Sequence, residues 1–289
     1  MIEVLDAGWH TTVQDRGRPG LAHLGVPTSG AADHTSHALG QRLVGNSPDA
    51  AGLEVTLGGL VVRATVPLVV AVTGAVVPVL VDGLPADRHT ALRLDAGAVL
   101  SLGTATRGLR CYLSVAGGVD CTAELGSRST DTHSGLGPPP VASGDVLPVG
   151  RTHDPVPPAG DAIADITGSA RLQAISFLPG PRVDRFEPGT LDQLTRAEWV
   201  ATDQLDRVGV RLSGPRLQQR PGPQIASEGM ELGSIQVPAS GQPIVFLADH
   251  PPTGGYPVIG VVRHTDVAVL AQARPGSTIR FVRATRAGR

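Results

Sequence analysis

From Pro48 to Val115 the chain is a succession of short runs rich in valine and leucine, each closed within a few residues by glycine, aspartate or proline, and this spacing constrains the fold more than any other feature. Leu53–Leu57, Leu60–Ala64, Pro67–Thr73, Val76–Val81, Ala91–Leu94, Val99–Leu102 and Arg110–Val115 have the length and β-branched content of strands. Val81-Asp82-Gly83-Leu84 and Asp95-Ala96-Gly97 supply the turns between them. Aromatic residues make up only 3% of the chain, so the core is expected to be built from Val, Leu, Ala and Ile. With 37 glycines and 25 prolines over 289 residues, the expected architecture is two mainly β domains with a few short helices, the first an antiparallel β-barrel or sandwich and the second a small β-barrel.

Along the chain, Met1–Asp6 reads as a strand, and residues 8–20 as a polar loop punctuated by glycine. Residues 29–45 change to helical period through Ala31, Ala38, Leu39, Leu43 and Val44. Ser29 or Asp33 is placed to cap that helix and Gly45 to end it. Ser127, Arg128, Ser129 and Thr130 offer hydroxyls, a guanidinium and backbone amides that suit either an anion or a turn network with Asp131. Proline and small polar residues replace the apolar periodicity over 150–161, which reads as a linker between an N-terminal domain of residues 1–160 and a C-terminal domain of residues 161–289. In the second half, strands are expected at Leu172–Leu178, Val208–Leu212, Ser234–Val237, Pro243–Ala248, Val258–Val262 and Thr278–Val282. Helical spacing covers Thr190–Trp199, with Thr190 as a possible cap, and Val267–Ala273. Glu54, among apolar neighbours, is expected on a solvated face or, if its side lines a cleft, as an acid or base.

The composition removes several classes of function. A net charge of −2 with both signs interspersed gives no basic field for nucleic acid or an anionic membrane. No run approaches the ~18 apolar residues of a membrane span. With no charged leader at its start, the chain reads as cytoplasmic. Cys111 and Cys121 have neither CxxC nor clustered histidine beside them, so they read as reduced thiols and no metal site is expected. All 24 basic residues are arginine. A Walker A lysine, a Schiff-base lysine and a biotinyl-lysine are therefore excluded from this chain, and any ATP or carboxybiotin must be supplied through another polypeptide.

Six motifs in order carry a resemblance: Thr12-Val-Gln-Asp-Arg-Gly-Arg-Pro-Gly20, Gly25-Val-Pro-Thr-Ser-Gly-Ala-Ala-Asp33, Gly126-Ser-Arg-Ser-Thr130, Ser227-Glu-Gly-Met230, Gly233-Ser-Ile-Gln-Val-Pro238 and Thr253-Gly-Gly-Tyr-Pro257. Together they resemble the biotin-dependent carboxyltransferase family, also described as allophanate hydrolase subunit 2, which includes the C-type member of the bacterial 5-oxoprolinase complex and the second half of the urea carboxylase carboxyltransferase domain. Ala32, Pro251, Pro252 and Val258 depart from that family's usual residues. The resemblance implies cyclophilin-like barrels and a site completed by a homologous partner, the allophanate hydrolase subunit 1 or B-type 5-oxoprolinase protein. A LamB/YcsF-type protein is a further expected partner. Glu228 and Asp15 are the expected catalytic groups, and Gln14, Arg18, Ser29, Asp33, Gln236, Thr253, Gly254 and Tyr256 the expected contacts to a small amide substrate. The activity implied first is ATP-dependent conversion of 5-oxoproline to glutamate. Half of a split biotin-dependent carboxyltransferase and a regulatory binding module without chemistry are the alternatives.

Overall fold

A computed structural model describes residues 1–151 and 173–284, which fall into two compact units. The first holds Met1–Arg18, Ser29–Asp131 and the described residues from Gly135 to Arg151; the second holds Pro19–Thr28, Thr132–Ser134 and the described residues from Gln173 onward. The expected linker, apart from its first two residues, and the expected boundary near residue 160 lie outside the described residues.

In the first unit β1 (Ile2–Ala7) and β2 (His10–Gln14) precede helix α1 (His34–Leu43). There follow β3 (Gly52–Thr56), β4 (Leu60–Ala64), β5 (Leu68–Val76), β6 (Val79–Val81), β7 (Leu84–Pro85) and β8 (Ala91–Leu94). Then come β9 (Val99–Leu102), β10 (Arg107–Val115) and β11 (Val146–Leu147). The strands form a six-stranded sheet, β11-β1-β4-β9-β6-β7, and a five-stranded sheet, β2-β3-β10-β5-β8. Val4, Leu60, Val62 and Leu100 from the first sheet share one core with Leu53, Val55, Val72 and Leu113 from the second.

Strands β5 and β10 are buried along most of their length instead of alternating, because α1 packs against them in addition to that core. The helix approaches closely: a Cβ on Gly40 would stand 2.5 Å from Ser114 Oγ and 3.1 Å from Thr73 Oγ1. Asp33 caps α1, its carboxylate accepting from Ser36 N at 2.9 Å and Ser36 Oγ at 2.6 Å. Residues 10–14, read from sequence as loop, are a strand. Their side chains are too polar to show an apolar alternation, yet Thr11, Thr12, Val13 and Gln14 are buried, and β2 pairs with β3 over its whole length.

The second unit contains β12 (Gln173–Pro179), α2 (Thr190–Arg196), β13 (Trp199–Leu205), β14 (Gly209–Ser213), β15 (Glu228–Gly229) and β16 (Ser234–Gln236). It continues with β17 (Ile244–Phe246), β18 (Thr253–Gly254), β19 (Val258–Val262), α3 (His264–Ala271) and β20 (Thr278–Arg283). Seven strands close into a barrel in the order β12-β19-β16-β17-β14-β13-β20, while β15 and β18 form a separate ribbon. Barrel pairing is antiparallel except between β12 and β20, which run parallel. Phe177, Trp199, Ile235, Ile259 and Phe281 are among the side chains filling the core.

Two sequence expectations in this unit are corrected. Trp199 does not end α2 but opens β13: the helix stops at Arg196, and the indole turns inward to donate to Leu194 O at 3.0 Å. The cap of α2 is Gly189, held left-handed at φ 84°, and Thr190 is the first helical residue.

Candidate functional site

Beyond Gln14 the chain leaves β2 in a turn organised by Asp15. Its Oδ1 accepts from Gly17 N at 2.7 Å and from the hydroxyls of Ser127 and Ser129 at 2.6 Å each, and its Oδ2 accepts from Arg128 N at 2.6 Å. Asp15 N donates to Ser129 Oγ at 3.0 Å. The anion-binding chemistry read into residues 127–130 is therefore met inside the chain, by a buried carboxylate whose oxygens are held by the loop. The same segment runs beside β2, with Thr130 N donating to Val13 O at 2.9 Å.

Gln14 and Arg18 reach consecutive carbonyls of that segment. Gln14 Nε2 donates to Thr130 O at 2.9 Å and to Thr12 Oγ1 at 3.0 Å, while Arg18 Nη2 donates to Ser129 O at 2.6 Å. Ser29, held left-handed at φ 53°, directs its hydroxyl to Thr130 O at 3.3 Å. Beside it Gly30 lies so near the backbone of residues 16–17 that a Cβ would come within 2.9 Å of Arg16 C and Gly17 N. The expected contact residues Gln14, Arg18 and Ser29 thus share one buried network with Asp15, and Asp33 stands at the start of α1.

Under that helix lies a second network absent from the sequence reading. Glu54 is not on a solvated face: it is 1% exposed, its Oε2 accepting from Ala32 N at 2.9 Å and Tyr112 OH at 2.8 Å. Its Oε1 lies 3.4 Å from Arg110 Nε. Tyr112 is the direct cross-strand partner of Glu54, and Arg110 lies two residues along the same strand, which explains why the carboxylate stays inside. Asp33 N donates to Tyr112 OH at 2.7 Å. Burial first, then the charges of Glu54 and Asp33, hold the Tyr112 hydroxyl well above the ordinary tyrosine range, so it remains a neutral donor.

His37, one turn along α1, packs edge-on to Tyr112 with ring centroids 6.0 Å apart, and its Nε2 stands 3.1 Å from Gln14 O. Burial holds its pKa below the ordinary value of 6.5, outweighing the Gln14 carbonyl and the acids Asp15, Glu54 and Asp33, which raise it. Its position four residues after the Asp33 cap was the available sequence signal.

In the second unit the candidate residues gather around the β15–β18 ribbon, where Glu228 pairs with Gly254 and Gly229 with Thr253. Glu228 is half-buried and gripped by Arg182, whose Nε lies 2.8 Å and 3.0 Å from the two carboxylate oxygens while Nη2 also donates to Oε1. Those hydrogen bonds hold the Glu228 carboxyl below the usual glutamate range and raise Arg182, so the glutamate is ionised at neutral pH and has no proton to donate. Arg182 follows the turn Pro179-Gly180-Pro181 and was not selected from sequence.

Gln236 is buried and donates to Tyr256 O at 3.3 Å. A Cβ on Gly254 would lie 2.6 Å from Gln236 Nε2 and 3.1 Å from Met230 Sδ, so a side chain there would displace the ends of Gln236 and Met230. Thr253 and the Tyr256 ring are exposed. Next to the ribbon, Asp249 and Arg207 form a fully buried bidentate pair, both contacts at 2.9 Å, and Asp249 Oδ2 also accepts from Thr132 N and Oγ1. His250 Nδ1 contacts Pro251 O at 2.9 Å while its ring stacks on Phe246. Among the described residues no group of three or more His, Cys, Asp or Glu is arranged to hold a metal ion, and no helix is long and apolar enough to cross a membrane.

Residues 24–283 match the carboxyltransferase domain, subdomain A and B. The chain belongs to the carboxyltransferase family. Within it, the chain is 36% identical to the C-type 5-oxoprolinase subunit of Escherichia coli K12, over 98% of this chain and 91% of that one. It is 30% identical to the urea amidolyase of Saccharomyces cerevisiae over 97% of its own length, which is 16% of that longer protein. The crystal structure of K. lactis urea amidolyase superposes with a TM-score of 0.91 at 29% identity, covering 98% of this chain and 19% of that one. Family membership accounts for the mainly β architecture, including the closed barrel.

Proposed function

We propose that this carboxyltransferase-family chain is one subunit of a multi-protein enzyme that hydrolyses 5-oxoproline to glutamate at the expense of ATP, its site completed by a homologous partner, the B-type 5-oxoprolinase protein. A LamB/YcsF-type protein is the proposed further member. The observation carrying this reading is the end-to-end match to a C-type 5-oxoprolinase subunit, 98% of this chain against 91% of that one. Lacking lysine, the chain offers neither a covalent biotin anchor nor a P-loop lysine, and ATP or carboxybiotin is proposed to be supplied through partners.

Opening a lactam requires donors for the carbonyl oxygen as charge develops on it, and a base for the attacking water. Glu228 is the proposed base, a role open to it once one of the two oxygens held by Arg182 is released. Gln236 and the backbone around Thr253, Gly254 and Tyr256 are the proposed donors on the second unit. Gln14, Arg18, Ser29 and Asp33 are proposed, within the first unit alone, as a separate group of contacts to a small amide. Asp15, expected from the resemblance to take part in catalysis, is proposed instead to position that loop, because its oxygens already accept from Gly17, Ser127, Arg128 and Ser129.

The test is to co-purify the chain with its partners and measure ATP-dependent glutamate release from 5-oxoproline. Turnover by the wild-type set, lost in a Glu228→Gln variant that folds and assembles normally, is the expected result; a complete wild-type set without turnover sinks the proposal. The TM-score of 0.91 to K. lactis urea amidolyase favours one second reading, biotin-dependent carboxyl transfer to a urea-like acceptor. Urea-dependent discharge of a carboxylated biotin carrier protein distinguishes it.

A further inference from the structure

Besides a base and donors for the carbonyl oxygen, opening a lactam needs a proton for the nitrogen that leaves. Among the residues gathered at the β15–β18 ribbon, Glu228 is held ionised and Arg182 is engaged with it. Gln236 and Thr253 carry no proton that they release near neutral pH. Histidine is the side chain that exchanges one there, and His250 stands on the segment leading into β18.

The backbone around His250 is fixed on both sides. Before it, Leu247 N donates to Val208 O and Asp249 N to Arg207 O, each at 2.9 Å, while the Asp249 carboxylate is held by Arg207 and Thr132. His250 N itself donates to Leu247 O at 3.2 Å. After it, Pro252 O accepts from Met230 N at 2.9 Å, and Thr253 and Gly254 pair with Gly229 and Glu228. The ring is fixed as well. It stacks on Phe246 with centroids 5.9 Å apart and planes 29° from parallel, and its Nδ1 lies 2.9 Å from Pro251 O. A carbonyl oxygen only accepts, so Nδ1 carries the proton and, in the neutral ring, Nε2 is the bare basic nitrogen. Nε2 makes no hydrogen bond among the described residues and is not enclosed, although the residue as a whole is only 6% exposed.

This ring lies on the face of the barrel that carries the ribbon. Val245 and Leu247 point into the barrel core, which turns Ile244 and Phe246 outward, and Gln236 is the cross-strand partner of Ile244. Phe246 is therefore about 7 Å along β17 from the residue paired with Gln236. Phe246 and Met230 belong to one apolar cluster, and a Cβ at Gly254 would stand 3.1 Å from Met230 Sδ. His250, Gln236 and Gly254 thus border the same patch.

We propose that His250 is a catalytic residue that moves a proton at the substrate nitrogen through Nε2, while Pro251 O keeps the Nδ1–H in place. In lactam opening, the water oxygen bonds to the carbonyl carbon as the C–N bond breaks. The Nε2–H of the imidazolium passes to the nitrogen, one proton of the water passes to Glu228, and exchange with solvent returns it to His250. In carboxyl transfer to urea the direction reverses, and Nε2 of the neutral ring takes a proton from the attacking nitrogen. The lactam case rests on the 5-oxoprolinase reading; the placement of the ring does not.

The first test needs the chain alone. Diethylpyrocarbonate, which acylates unprotonated imidazole nitrogens, is expected to label His250 in the folded protein, as located by peptide mapping; a native His250 that resists it overturns the proposal. In the assembled complex, His250→Phe keeps a ring against Phe246 and removes the exchangeable proton. Its kcat for glutamate release is expected to fall at least about 100-fold, with KM changed less than about threefold. His250→Ala is expected to fall likewise and to recover at least about tenfold with added imidazole, which a packing role does not allow. A kcat within about threefold of wild type in His250→Phe, or losses that imidazole leaves untouched, overturns the proposal and leaves the enzymatic reading standing. A complex that releases no glutamate, yet discharges a carboxylated carrier to urea in a His250-dependent way, keeps the residue and removes the 5-oxoproline reading. A wild-type complex inert in both assays overturns the two together.

Discussion

Replacing Tyr112 by Phe removes one oxygen from the centre of the first unit and tests whether the network beneath α1 holds the helix. That oxygen donates to Glu54 Oε2 at 2.8 Å and accepts from Asp33 N at 2.7 Å, joining β3 and β10 to the residue that caps α1. A hydrogen bond to a charged group is worth about 1.5–3 kcal/mol, and a buried amide deprived of its acceptor costs about 1–3 kcal/mol. Glu54 Oε2 keeps Ala32 N as a donor, and the phenyl ring keeps its edge contact with His37, so the substitution adds neither a stripped carboxylate nor a large cavity. The expected net loss is about 3 kcal/mol. Urea unfolding of wild type, Tyr112→Phe, Glu54→Gln and the double variant gives the coupling directly, provided m is unchanged. A loss for Tyr112→Phe within about 0.5 kcal/mol, the level of an ordinary surface substitution, refutes the argument.

Three further outcomes follow from the same structure. His37 has a depressed pKa, so between that value and 6.5 the unfolded chain binds the extra proton; stability is expected to fall as pH drops below about 6.5, and a folded His37→Gln variant to lose that slope in urea melts at several pH values. Asp15→Asn places an amide among four donors and is expected to cost about 3–5 kcal/mol, with faster hydrogen exchange over residues 124–131; unchanged exchange counts against the positioning role. Burial pushes the Cys111 thiol up to about 12, so at pH 8 alkylation of the native chain is expected at half-buried Cys121 first, with Cys111 reacting only on unfolding, as read by peptide mass mapping.

What was legible in the sequence tracks what is local. Val99–Leu102 and Leu60–Ala64 match their strands to the residue because valine and leucine runs closed by tight turns leave little alternative, and the Asp82-Gly83 turn has both residues at positive φ. β2 was hidden because the face it buries is polar: Thr12 and Gln14 are covered by residues that arrive more than a hundred positions later, such as Thr130. The side-chain partners of Asp15 were invisible for the same reason, all but Gly17 lying 112–114 residues away. Glu54 looked surface-bound because its compensation, Arg110 and Tyr112, lies on a strand paired only in three dimensions. Motif order identified the family; it carried no information on which carboxylate would be held by hydroxyls and amides and which would be paired with an arginine.

The pairing of β20 has a consequence for how the second unit is made. This strand lies between β12 and β13, parallel to the one and antiparallel to the other, so the final strand of the barrel is inserted between its first two. During synthesis β12 and β13 emerge about 100 and about 75 residues before the segment that joins them, with backbone edges open to water, to chaperones or to another nascent copy. Ring closure waits on Thr278–Arg283, and until that strand pairs, the facing edges of β12 and β13 are the open ones.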